Sequence, residues 1–232
     1  MSEFKLDEKI NSDNIFIFDS NLLEERLDVE FYQPKHYRLI NKIQKSKYPI
    51  KRFKDISNRI VDGPFGSSVK ADDYVDNGIP FIRVADITHG NGTILMDDLI
   101  YISQEKHQQI IRSKIVPGDI VIAKTGATMG VASVVPDTIT EGNIRGDLAA
   151  VSIKDDLELS QYVVNYINTS IGYELFWRLN SGSTRGRVVI GNLKNYPIII
   201  PERKVIKEIN QLIIEQHVRH LLFYKTVNSS NS

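Results

Sequence analysis

An α+β fold follows from three features of the 232-residue chain. Short apolar runs, each closed by glycine or proline, succeed one another over residues 79–153 and mark a body dominated by sheet. Apolar residues then change to a spacing of three and four over 160–180, through Tyr162, Val163, Tyr166, Ile167, Leu175, Phe176 and Leu179. After Pro201 the same spacing, through Val205, Ile209, Leu212 and Gln216, is kept for about five turns and predicts a long helix.

Taken in order, residues 1–14 are polar and residues 15–18 are an apolar strand candidate. Pro34 at a first helical position starts a helix to Gln44 with Tyr37, Ile40 and Ile43 as its inner stripe, and Pro49 closes it. Weak alternation through Phe53, Ile56 and Ile60 leads into Gly63-Pro64-Phe65-Gly66-Ser67-Ser68. Two glycines and a proline around an aromatic there demand a tight turn and let the backbone approach a ligand closely. Asn77-Gly78 is a second turn, and 79–84 reads as a short strand with Arg83 near its end.

Gly90-Asn91-Gly92 is a turn, 99–102 a strand and 103–112 a polar helical segment. The continuous apolar run 120–123 is typical of a buried strand; residues 124–130 are the loop leaving it and 131–135 the returning strand of a hairpin. Gly142, Asn143, Arg145, Gly146 and Asp147 read as a loop before a strand at 148–153. Gly172 is a candidate break between two helices, 181–187 a basic glycine-containing loop, and 196–201 a strand bracketed by prolines. The asparagine- and serine-rich end from Val227 reads as disordered.

Lysine plus arginine and aspartate plus glutamate each number 29, so no global charge advertises a nucleic acid or membrane partner. Charge is local instead: acids outnumber bases nine to three over residues 1–33, and bases outnumber acids six to one over 178–204. Absence of cysteine excludes disulfides and thiolate metal sites and fits a reducing cytoplasm. His217 and His220 have a spacing that would suit a metal, but with no third ligand in sequence they read as helix surface, and no metal or cofactor is expected. No run reaches the ~20 apolar residues of a membrane span.

Enzyme motifs are missing from the sequence: there is no paired-proline methyltransferase tetrapeptide, phosphate-binding loop, zinc helix or nucleophile elbow. Binding is the better reading. Lys70, Arg83, Lys124, Arg145, Arg185 and Arg187 all stand in or beside glycine-rich turns, where a sheet presents recognition groups. Arginines there suit bidentate contacts to base edges, while Ser67, Ser68, Thr125, Ser183 and Thr184 suit phosphates. The competing readings are a protein-binding adaptor that dimerises through its last helix, and a hydrolase whose carboxylates meet only on folding.

Several of these pieces, in this order, resemble the DNA-specificity (S) subunits of type I restriction-modification systems. They are Gly63-Pro64-Phe65-Gly66-Ser67, Gly78-Ile79-Pro80-Phe81-Ile82-Arg83, Asp86-Ile87, Gly118-Asp119-Ile120 with Gly126, and Ile200-Pro201 before the long helix. Arg26-Leu27-Asp28 with Phe31-Tyr32 resembles the lead-in to such domains. The resemblance implies an α+β target recognition domain with a twisted mixed β-sheet and flanking helices, followed by a long C-terminal coiled-coil helix. With the resemblance running from about Arg26 to Leu222, the expected organisation is a polar segment with a short strand at 1–25, the recognition domain at 26–200, a dimerisation and spacer helix at 201–226 and a disordered tail at 227–232.

The implied role is non-catalytic: one half of a bipartite DNA target is read, and modification and restriction subunits are directed to it, with S-adenosylmethionine carried by the modification subunit. Pairing with a second half-size copy, or with a different half, would run through Val205, Ile209, Leu212 and Gln216, and the expected location is cytoplasmic. The chain departs from the family pattern where paired prolines and a glutamine usually open the helix, since Pro201 stands alone and Val205 takes roughly the place of the glutamine.

Overall fold

The computed structural model describes residues 17, 21, 23, 28–64, 68–88, 92–154, 156–181 and 186–229, with side chains followed as far as Gln216. After a 3-10 turn at Val29–Tyr32 come α1 (Pro34–Gln44), β1 (Ile50–Arg52), α2 (Phe53–Ile56), β2 (Ser57–Asp62), β3 (Tyr74–Val75) and β4 (Ile79–Ile82). Next are α3 (Val84–Thr88), β5 (Ile100–Ile102), α4 (Gln104–Gln109), β6 (Lys114–Ile115), β7 (Ile120–Ala123), β8 (Ala132–Val134) and β9 (Gly142–Ile144). β10 (Leu148–Ile153), α5 (Leu157–Ile167), α6 (Ser170–Arg178), α7 (Ile190–Leu193), β11 (Pro197–Ile199) and α8 (Arg203–Ser229) follow.

The described strands form three sheets, where one mixed sheet was expected. One has the order β2-β10-β7-β8 and is antiparallel throughout. A second, β3-β5-β4-β9-β6, contains one parallel pair, β4 with β9. The third is the pair β1-β11, in which Ile50 faces Ile199.

Alternation along β7 and β10 explains the layering. Ile120 and Ile122 of β7, with Ala149 and Val151 of β10, join a core roofed by Val163, Ile167, Leu175 and Phe176 of α5 and α6. Val121, Ala123, Leu148 and Ala150 point the other way and pack with Ile82, Ile115 and Ile144 of the second sheet. A strand covered on both faces needs apolar residues at consecutive positions, which is why these two read as unbroken hydrophobic runs. Tyr196 fills the helical core, stacks on Phe53 and donates its hydroxyl to the Gly172 carbonyl at 2.9 Å.

Several elements depart from the sequence expectation. Residues 142–144 are the strand β9 and not a loop, because Asn143 is buried there: its Oδ1 meets His107 Nδ1 at 2.6 Å and its Nδ2 donates to Ser113 Oγ at 2.9 Å. On α1 the inward residues are His36 and Ile43, with Leu39 and Ile40 beside them, while Tyr37 is exposed. The break between α5 and α6 falls at Asn168 and Thr169, where the Thr169 side chain caps α6 by accepting from Gly172 N. Gly172 is needed for a different reason, since a Cβ there would lie 2.0 Å from the Tyr166 carbonyl oxygen.

α8 starts against α5. Arg203 bonds the Asp156 carboxylate at 2.7 Å, Ile206 is buried, and Asn210 bonds both the Glu158 carbonyl and Asn165. Of the described side chains after Asn210, all but Ile213 are exposed, Leu212 to 63%. It runs to Ser229, three residues past the expected end; of the candidate strand at 15–18 only Ile17 is among the described residues.

His36 generates a pH test. It is 1% exposed, neither ring nitrogen has a hydrogen-bond partner among the described residues, and burial, aided by Lys35 and Arg178, lowers its pKa from 6.5 to about 4. The unfolded chain therefore takes up a proton before the folded one does. The stability that rests on neutral His36 is complete above pH 6.5 and is lost as pH falls toward 4, in total about 3 kcal/mol. Urea unfolding of the wild type should weaken over that interval, and His36→Leu should remove most of the difference.

Candidate nucleic-acid interface

Because β7 and β10 have no open face, the chain is accessible where strands end. β2 ends at Asp62 and β7 at Ala123, while β8 and β10 begin at the same end of their sheet. The second sheet shares that end, since the amide of Arg145, which follows β9, donates to the Ile82 carbonyl at the end of β4 at 2.9 Å.

Five connections therefore converge, and hydrogen bonds tie them together. Lys124 N donates to the Asp147 carbonyl at 2.9 Å, Val188 N to the Lys124 carbonyl at 2.8 Å and Gly126 N to the Gly186 carbonyl at 3.0 Å. Gly63 N donates to the Leu148 carbonyl at 3.2 Å, and a Cβ on Gly63 would sit 2.0 Å from the Arg145 carbonyl oxygen, so only glycine fits between these backbones. Gly126 has φ +76°, the left-handed conformation that lets the β7–β8 loop turn.

Of the residues singled out from sequence, Arg83, Lys124, Thr125, Arg145 and Arg187 are brought to this end. Thr125 and Arg187 face each other in a β-bridge, and the Arg187 amide is held by Asn180 Oδ1 at 2.8 Å. Ser68 and Lys70 sit elsewhere, beside the second sheet, where Val69 packs with Phe81 and Ile102. There the Ser68 carbonyl accepts from Lys106 Nζ at 3.2 Å and Lys70 N donates to Asp73 Oδ2 at 2.7 Å. Ser67, Ser183, Thr184 and Arg185 lie outside the described residues.

The electrostatics are more balanced than the sequence suggested. Lys124 is only 5% exposed and its ammonium lies 3.1 Å from Asp62 Oδ1. Arg145 Nε lies 3.5 Å from Asp147 Oδ1 with nearly half its side chain open to solvent. Arg83 is the most committed: its guanidinium bonds Asp86 Oδ1 at 2.8 Å and the Asp98 carbonyl at 2.6 Å, and the Asp86 hydrogen bond raises its already high pKa. Arg187 is exposed and forms no ion pair among the described residues. The acids that neutralise the cluster are spread over three segments, so nothing in the residue order pairs Lys124 with Asp62.

Two aromatics that the sequence reading assigned no part support the loops. Tyr173 and Trp177, one helical turn apart on α6 with rings 6.0 Å apart, lie beneath Gly130 and Gly186. A Cβ on Gly186 would come 3.2 Å from the Trp177 ring, and one on Gly130 3.4 Å from the Tyr173 ring. Their i, i+4 spacing was the available signal.

Removal of the Arg83 side chain carries a cost to folding in this geometry. Asp86 is buried, and Arg83→Ala leaves its carboxylate without its guanidinium. A loss of about 1 to 3 kcal/mol in chemical denaturation is expected, whatever the effect on a ligand.

Residues 46–219 match the family model described as "Type I restriction modification DNA specificity domain". A search of curated proteins finds no match. Among solved structures, a chain from a study of complex assembly and conformational transition of the type I R-M system superposes with a TM-score of 0.55 at 20% identity, covering 84% of this chain and 48% of that one. The HsdS subunit from Thermoanaerobacter tengcongensis gives 0.52 at 21% identity over 76% of this chain and 39% of that one. The type IIG restriction endonuclease BpuSI gives 0.57 at 8% identity over 80% and 28%. These likenesses concern the fold, and the chain spans about half or less of each of those chains. With three quarters of its length matched, the chain belongs to the type I restriction modification DNA specificity domain family.

Proposed function

We propose that this chain reads one half of a bipartite DNA target and directs the modification and restriction subunits of a type I restriction-modification complex to it. The observation that carries this reading is the convergence, in a member of this specificity-domain family, of five connections at one end of the sheets. Loops tied to one another by backbone hydrogen bonds enter a groove as a unit, so less conformational entropy is lost on binding. Arg145 and Arg187, exposed at that end, are the side chains that reach base edges or phosphates, joined by Thr125 and by Ser67, Ser183, Thr184 and Arg185 of the neighbouring segments. Lys124 and Arg83, held by Asp62 and Asp86, act mainly by fixing loop shape. Ser68 and Lys70 are contacts to flanking phosphate.

In this reading S-adenosylmethionine and the chemistry of base methylation belong to the modification subunit. The first two turns of α8 pack on the body and the rest of the helix is the spacer. Pairing with a second half runs through Leu212 and Gln216, with Val205 and Ile209 near the body; Ile209 already packs partly on the helical core. A coiled coil of two such helices would set the distance between two half-sites. The cytoplasm is the compartment where such a complex meets DNA, and no helix among the described residues is long and apolar enough to cross a membrane.

Arg187→Ala and Arg145→Ala should each weaken binding to the target by about 1 to 3 kcal/mol and relax the preference at single positions of the half-site, with unfolding midpoints unchanged. Methylated-base mapping in cells carrying the wild type or each variant checks this, and an unaltered map for both variants would refute the reading. Leu212→Asp should shift the chain to monomer in sedimentation without loss of fold.

A further inference from the structure

The loop cluster does little to neutralise a duplex. Lys124, Arg145 and Arg83 are each matched by a nearby aspartate, and the chain as a whole carries no net charge. Between Pro34 and Lys54, however, the chain has eight lysines and arginines and no acid. Folding arranges half of them into a line. Lys35, Arg38, Lys42 and Lys45 are spaced three, four and three apart on α1 and its C-cap, which keeps them within an arc of about 80° over about 15 Å. All four are exposed, on the side of the helix away from Leu39, Ile40 and Ile43.

Their charge is scarcely compensated. Among the described residues only Lys35 meets an acid, Glu174 of α6 at 3.9 Å, and both side chains there are about half exposed. The remaining four cations, Lys47, Lys51, Arg52 and Lys54, follow in the α1–β1 turn, β1 and α2, and all are exposed. A solubilising surface intersperses both signs, since like charges alone repel and cost stability. Eight cations in succession without an acid are better matched by a polyanion.

We infer that the α1 stripe binds the sugar-phosphate backbone of duplex DNA without reading sequence, as a second contact surface apart from the loop cluster. Lysine predominates, as suits point-charge contacts to phosphate, where bidentate geometry is not needed. A regular row on a rigid helix presents those charges at fixed spacing along a strand. α1 packs against α6, and α6 leads into the loop that ends at Arg187, so the same body holds both surfaces. The inference rests on the proposed DNA-reading function for its context, but its signature is separate: phosphate contacts change the salt dependence of binding, and base contacts change the sequence preference.

The test uses the full chain with Arg38→Gln, Lys42→Gln and Lys45→Gln combined, titrated against a random-sequence duplex over a range of salt concentrations. Three lost contacts should lower the slope of log K against log salt by about 2 to 3 and weaken binding on the order of tenfold per contact near 0.1 M salt. Circular dichroism should be unchanged, since none of the three packs in the core. Arg187→Ala serves as the contrast and should leave the slope within about 1 of the wild type. An unchanged slope and affinity in the triple variant overturns the inference. So does a result in which duplex binding is intact and only association with the methyltransferase subunit is lost, which would make the stripe a face for an acidic protein. If the slope falls but the wild type prefers no sequence, the stripe stands and the proposed function fails; if the wild type binds no duplex at all, both fail.

Discussion

Two strands with no solvent-facing side govern this molecule. β7 and β10 carry Ile120 and Val151 into the helical core and Val121 and Ala150 into the core shared with the second sheet. Each buried side chain of this kind contributes about 1.5 to 3 kcal/mol, so these strands are the least able to move. The consequence is topological. With both faces covered, β7 and β10 can meet solvent only at their ends, and the connections that leave them gather there.

One of those ends gathers five connections and is built for close approach of backbones. Gly63 touches the Arg145 carbonyl, Gly126 turns with a positive φ, and the 181–187 loop is pinned at Gly186 and Arg187. The neighbouring charges are arranged for shape more than for field. Buried Lys124 costs desolvation that Asp62 at 3.1 Å offsets, and the same pair joins the end of β2 to the end of β7. An ion pair used in this way fixes where a loop starts and leaves recognition to the side chains beyond it.

Separating positioning from attraction accounts for the uneven distribution of charge. The loop end is nearly neutral and specific in its geometry, while the face of α1 is strongly cationic and regular in spacing. Under the proposed function both properties are needed, and they need not reside in one place, because phosphates surround a duplex and base edges are reached only in its grooves.

Much of this was legible from residue order. The helix at Pro34–Gln44, the buried strand at Ile120–Ala123 and its hairpin partner, the strand at Leu148–Ile153, the two helices before the basic loop and the final long helix all follow from periodicity and from proline and glycine placement. Of the cations beside glycine turns, Arg145 and Arg187 stand exposed, whereas Lys124 is buried against Asp62. Short elements escaped because their cause is not local: β9 is a strand since Asn143 finds His107 and Ser113 across the fold, and α1 turns His36 inward, where the three-residue spacing to Ile40 and Ile43 had suggested Tyr37.

What the sequence determined by itself is therefore the order of elements, the strands covered on both sides and the cations in the loops, all of which depend on neighbours a few positions apart. Only the tertiary structure decided which cations are neutralised, because Asp62 and Lys124 are brought within bonding distance by the pairing of β2 and β7 to β10. It alone decided also that four separated bases on α1 form one exposed row, since that depends on which side of the helix the core occupies.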